Sequence, residues 1–158
     1  MQDKEPEVKK RPGKTNIWAR RKARRALVQA LYQWQVSAPE VAELQAEFAA
    51  SQALAKADKE FFAEVLVLAI QDSQALDSLI DPLLDRAIDK LDIVERGILR
   101  LATVELRERI DVPHRVVIDE YVELAKTFGA QDSFKYVNGV LDKLALQLRK
   151  VETRARRP

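Results

Sequence analysis

A chain of 158 residues with 47% hydrophobic content can close one core, or two small ones that share a face, and bury roughly 68–70% of its unfolded surface. It has no cysteine, which excludes a disulfide framework, a thiolate metal site and a cysteine nucleophile, and suits a reducing, cytoplasmic location. No apolar run nears the roughly 18 residues that span a bilayer, and no apolar stretch follows the N-terminal charges as in a signal peptide. The net charge of +2 is a cancellation of segregated blocks. Residues 1–38 hold ten basic and three acidic residues, 39–148 hold twelve and twenty-one, and 149–158 hold five and one. Basic ends on an acidic body point to a polyanionic partner.

Residues 1–14 contain Pro6, Pro12 and Gly13 and almost nothing apolar. They cannot offset their ordering entropy, so they read as a disordered basic extension. Residues 15–150 read as one all-helical domain, since strand-like alternation is absent and only four glycines occur. Thr15 or Asn16 is a suitable N-cap for a first helix reaching Ser37. At 100° per residue, Ala23, Ala26, Leu27, Ala30, Leu31 and Trp34 form its core stripe. The opposite side collects Trp18, Arg21, Arg25, Val28 and Tyr32, with Lys22 and Arg24 at its flanks. Aromatics interleaved with guanidinium groups suit nucleic acid better than a merely solvated face.

A second helix is expected from Pro39, capped by Ser37, and a third from Asp58. A fourth covers about 73–84, with Pro82 predicting a kink or an end. Asp92, with Glu95 three residues on, opens a fifth as a variant capping box. Pro113 suits the first turn of a sixth, and Gly129 can take a left-handed C-cap after it. Asp132 is the expected cap of a seventh, whose stripe is Phe134, Val137, Leu141, Leu144 and Leu148. Seven helices with short links predict a compact all-α bundle. Residues 151–158 read as a frayed basic tail.

On the seventh helix Tyr136 lies off the stripe, among lysines. Unpaired bases stack on such rings at about 1–3 kcal/mol each while Lys and Arg neutralise phosphates. A Tyr half-packed on a neighbouring helix is an equally good reading. Catalysis has little support. The single histidine, His114, falls at a helix start and reads as a surface or first-turn residue. Asp119, Glu120 and Glu123 could do acid–base work, but at a helix start they more simply answer the macrodipole. No phosphate-binding glycine loop or Cys/His metal pattern is present, so no cofactor or metal is expected.

Three stretches resemble the NusB family of bacterial transcription antitermination factors. They are Arg20-Arg21-Lys22-Ala23-Arg24 with Ala30-Leu31-Tyr32-Gln33-Trp34-Gln35; Val94-Glu95-Arg96-Gly97-Ile98-Leu99-Arg100 with Glu105-Leu106; and Asp111-Val112-Pro113, Glu123 to Gly129, Asp132-Ser133 and Val137 to Lys143. The resemblance runs from about Arg20 to Leu148. It implies a fold of two helical halves and no enzymatic activity. It also implies pairing with NusE, a small-subunit ribosomal protein, and binding of single-stranded boxA RNA, with other Nus factors and RNA polymerase engaged indirectly and ribosomal RNA operons as the setting. Carried over, the RNA surface would be Arg20, Arg21, Lys22, Arg24, Phe128, Asp132, Lys135 and Tyr136, and the NusE surface would include Tyr32 and Glu95. Asp132 would cap its helix and at most accept from a base edge, and Arg100 would form a structural ion pair. Similar helical domains are fused to ribosomal RNA cytosine methyltransferases. Those enzymes need a cofactor-binding domain and a catalytic cysteine, for which this chain has neither room nor residue.

Overall fold

The computed structural model describes residues 14–155, with side chains from 17 to 154. The predicted extension 1–14 lies almost wholly outside them, as does the end of the basic tail. Eight α-helices make up the described residues: α1 (Lys14–Ser37), α2 (Val41–Ala49), α3 (Lys59–Gln71), α4 (Ser73–Ile80), α5 (Ile93–Glu108), α6 (His114–Phe128), α7 (Ser133–Leu148) and α8 (Lys150–Ala155). Short 3-10 turns follow α2 and α4 and precede α5. No strand occurs among the described residues, and none of their helices is long and apolar enough to cross a membrane.

Helix α5 is the axis of the bundle, packing against α1, α3, α4, α6 and α7. That position explains its sequence. From Gly97 to Leu106 every residue but Arg100 is buried, so the helix is apolar nearly all round. Two of its fully buried polar members are satisfied inside: the Thr103 hydroxyl donates to the Leu99 carbonyl, and Glu105 is paired with Arg24. The Arg100 guanidinium grips Asp77 on α4 with two bonds of 2.7 and 2.8 Å and donates to Gln35 on α1, the structural ion pair expected of it.

Helix starts follow capping chemistry in part. The Asp58 carboxylate accepts from the Phe61 N–H, and that of Asp92 from the Val94 and Glu95 N–H groups, as expected. Pro82 ends α4 in a 3-10 turn rather than kinking it. Other boundaries differ. Helix α1 already begins at Lys14, ahead of the expected caps Thr15 and Asn16. Ser37 is its last residue and bonds back to the Gln33 carbonyl. Ala38 then turns left-handed (φ 47°), and α2 starts after Glu40. Gly129 is extended (φ −88°, ψ 176°) rather than left-handed. It is needed for proximity: a Cβ there would lie 2.7 Å from the Ala125 carbonyl oxygen and 2.8 Å from Ser133 Oγ.

The predicted tail is a docked helix up to Ala155. Arg149, 3% exposed, donates to the Leu106, Glu105 and Arg109 carbonyls and so closes the C-terminus of α5. It also pairs with Glu152 at 2.6 Å. The other Glu152 oxygen accepts from the His114 backbone N–H and lies 2.9 Å from Nδ1 of the ring. His114 is the first residue of α6, one of its two expected places, and is buried rather than at the surface. Burial alone would raise the Glu152 pKa, but the His114 and Arg149 bonds outweigh it and hold the group at about 2.

Candidate nucleic-acid interface

The N-terminal half of α1 rests on α3 and α5, and its arginines divide between core and surface. Arg24 belongs to the core. It is 3% exposed, and its guanidinium forms two bonds to Glu105 at 2.8 and 2.9 Å. Tyr121 donates to the same carboxylate at 2.6 Å. Burial opposes the charge on Arg24, but the Glu105 hydrogen bonds and charge more than compensate and keep it protonated. The same burial, followed by the Glu105 charge, pushes the Tyr121 phenol well above its ordinary range, so it remains a donor. Arg24 cannot reach a ligand from here, which corrects its expected place on the RNA surface. The helical wheel put it at a flank, and the partner that drew it inward lies 81 positions away.

Arg20 is intermediate. It pairs with Asp58 at 3.0 Å and lies 4.4 Å from the centre of the Phe61 ring. Arg24 and Arg109 lie over the same ring, at 5.1 and 5.3 Å. This cage welds α1 to α3, and Arg20 is a structural residue first. Arg21 and Lys22 are exposed, as is Arg25, which the family resemblance had not carried over. Val28, expected on the outer face, is buried.

Two grooves adjoin along α1. The first, of about 560 Å³, runs between Trp18, Arg21, Lys22 and Arg25 on α1 and Glu120, Glu123, Leu124 and Thr127 on α6. Arg21 bonds Glu120 at 3.0 Å and lies over the Trp18 ring at 5.1 Å. The second, of about 480 Å³, is mostly apolar and includes Val28, Tyr32, Phe48, Val94 and Phe128. Arg25 joins the two, since its guanidinium lies 5.0 Å above the Phe128 ring. Tyr32 is 44% exposed, whereas Glu95, in the first turn of α5 beside Val94, is buried. The structure thus brings Tyr32 and Phe128 into one groove, although the resemblance had given them to different partners.

The remaining expected residues lie around α7. Asp132 precedes it with a left-handed backbone (φ 66°) and makes no side-chain cap bond. Asp tolerates that region because its short polar side chain bonds locally, and the carboxylate lies 3.7 Å from Lys135 instead. Its expected capping role is thereby corrected. Lys126 and Lys135 approach the Phe134 ring at 5.0 and 5.9 Å. The Tyr136 hydroxyl donates to Asp85 at 3.0 Å, and Arg86 covers the ring at 4.6 Å. The loop before α5 is therefore part of the Tyr136 environment. The Arg86 hydrogen bond, then that of Tyr136, lowers the Asp85 pKa. No group of acidic or histidine side chains among the described residues could hold a metal ion.

Comparison with known proteins agrees with the all-helical fold. The model of the NusB family matches residues 21–146. The transcription antitermination protein NusB of Alcanivorax borkumensis is 56% identical over 140 residues, covering 89% of this chain and 93% of that protein. That of Paraburkholderia xenovorans is 51% identical over 139 residues, covering 88% and 96%. Among solved structures, NusB from T. maritima is similar at a TM-score of 0.75 with 33% identity, covering 85% of this chain and 96% of that one. A crystal structure of the antitermination factors NusB and NusE in complex with double-stranded RNA contains a chain with a TM-score of 0.69 and 28% identity, covering 78% and 93%. A family match across most of the helical body, with relatives alike over nearly their whole length, means that this chain belongs to the NusB family.

Proposed function

We propose that this protein is an RNA-binding transcription antitermination factor acting in the cytoplasm. It pairs with NusE and binds unpaired boxA RNA in support of processive transcription of ribosomal RNA operons. The observation that carries the reading is the continuous surface along α1, where Arg21 lies over the exposed ring of Trp18 and Arg25 over the half-buried ring of Phe128. Guanidinium groups neutralise phosphates, and rings with open faces take bases that have left a stack. The proposed RNA surface comprises Arg21, Lys22, Arg25, Phe128, Lys135 and Tyr136, with Asp132 at its edge and Arg20 as its support. The apolar groove at Tyr32 is the proposed NusE face; Glu95, expected on it, is buried one position past Val94 of the groove wall and is not among its lining residues. An acidic body suits a basic ribosomal partner. Binding, not catalysis, is the activity.

The test is titration of a short boxA RNA with the full chain, alone and with cognate NusE. Weak, salt-dependent binding that tightens on adding NusE is expected. Absence of binding in both arms overturns the reading.

A further inference from the structure

The groove between α1 and α6 contains more than phosphate contacts require. Trp18 at its end is 65% exposed although Arg21 lies against the ring, so the indole keeps an open face. Lys22 and Arg25 supply exposed charge on the α1 side. Across from them stand Glu120, whose side chain is 17% exposed, and Glu123, which is 69% exposed. A phosphate lowered between the helices would meet two carboxylates. A flat base would meet an aromatic face, the Leu124 side chain and acceptors at its edge.

The acceptors are selective. An ionised carboxylate accepts hydrogen bonds and donates none. Arg21 holds one Glu120 oxygen at 3.0 Å, Arg24 lies 3.8 Å from the other, and Lys126 pairs with Glu123 at 3.1 Å; a carboxylate has about four lone-pair sites, so each can still accept a further bond. Cytosine and adenine carry an exocyclic amine that such an oxygen can receive. Uracil presents a carbonyl in that position, and its one donor on that edge, N3–H, is flanked by two carbonyl oxygens that a carboxylate repels. The groove volume of about 560 Å³ falls within the range of small-ligand clefts, roughly 300–1,000 Å³.

Resting on the RNA reading above, we propose that this groove is a nucleobase site that prefers amino-bearing bases to uracil. The base stacks on Trp18, its amine donates to Glu120 or Glu123, and the flanking phosphates lie on Lys22 and Arg25.

The chain has two tryptophans, so in the full-length Trp34→Phe protein Trp18 is the sole fluorescent indole. That protein is titrated with six-nucleotide oligocytidylate, oligoadenylate and oligouridylate. The cytidine and adenosine oligomers are expected to quench Trp18 and to bind several-fold more tightly than the uridine oligomer. Trp18→Ala, made in the Trp34→Phe background and followed by a labelled oligomer, weakens the preferred oligomers by about fivefold to a hundredfold, the range of one lost stack. Circular dichroism unchanged from the parent protein shows that the fold is kept. Glu120→Gln with Glu123→Gln brings the cytidine and uridine affinities close together. RNA binding with unchanged Trp18 emission, and with wild-type affinity in Trp18→Ala, overturns the base site while the RNA reading stands. Equal affinity for all three oligomers, insensitive to the glutamine substitutions, overturns the preference. No binding of any RNA, with or without NusE, removes both readings.

Discussion

Arg24 and Glu105 face each other across the core with almost no water on either, and Tyr121 completes the set. Two charges in such a place are held by mutual need. Removing one strands the other in low dielectric, which costs about 3–5 kcal/mol, whereas replacing both with apolar residues of similar size is often nearly neutral. Arg24→Ala is therefore expected to lower stability by about 3–5 kcal/mol in urea unfolding. The pair Arg24→Met with Glu105→Leu is expected to recover most of the loss. Wild-type stability in Arg24→Ala contradicts this account. The result bears on function, because a charge-removal experiment that includes Arg24 reads unfolding as lost RNA binding. The clean probe of the RNA surface is Arg21, Lys22 and Arg25 changed together to Ala. Exposed substitutions of this kind usually stay within about 0.5 kcal/mol each. The variant is expected to keep its helicity while log K for single-stranded RNA falls less steeply with salt, by about 0.7 per lost phosphate contact. An unchanged slope places the phosphates elsewhere.

At the scale of elements, α8 is small but well anchored. Arg149 satisfies carbonyls at the end of α5, and Glu152 ties α8 to the start of α6 through His114. A carboxyl held at about 2 in the folded state, against an ordinary 4.5, adds stability that is complete above 4.5 and is lost as pH falls through about 2. The difference in thermal midpoint between wild type and Glu152→Gln is therefore expected to be largest above pH 4.5 and to shrink toward pH 2. A difference that does not change with pH shows that the charge of Glu152 is not what holds α8. This helix also marks the limit of what the sequence discloses. Helices α3, α5 and α7 were legible because their apolar periodicity and the Asp58 and Asp92 caps are local signals. The docking of α8 was not, since Arg149 reads as one more charge in a basic run until its carbonyl partners, 40 to 44 positions upstream, are in place. Gly129 shows the same limit. Its position past the end of α6 was readable, but its extended backbone and the close approach of Ser133 come from how α7 folds back. On the candidate site, the wheel found Trp18, Arg21 and Arg25 together, yet could not tell that Arg24 turns inward or that Tyr136 meets Asp85 and Arg86.

Across the whole molecule, α1 presents one continuous strip whose character changes along its length. The N-terminal part is basic and aromatic, and the part around Tyr32 borders an apolar groove walled by α2, α5 and α6. Arg25 on the Phe128 ring sits where the two meet, so a partner in the second groove would lie next to RNA bound in the first. This adjacency is the physical basis for expecting a protein partner to tighten RNA binding: two ligands on neighbouring surfaces can share one phosphate path. Tyr32 is the residue to test, as a half-exposed aromatic of the kind that anchors interfaces. Tyr32→Asp places a carboxylate against Val28, Phe48 and Val94, where docking would strip its water without supplying a partner. The fold should survive, because the side chain is open to solvent in the free protein. NusE affinity is expected to fall by at least about 2 kcal/mol, roughly thirtyfold, as for a hot-spot truncation. Weak RNA binding by the isolated variant should persist, and the gain on adding NusE should disappear. Calorimetry of wild type and variant against NusE, followed by RNA titration of each mixture, separates these effects. Equal NusE affinity for the two proteins moves the interface off this groove and places Tyr32 on the RNA surface beside Phe128.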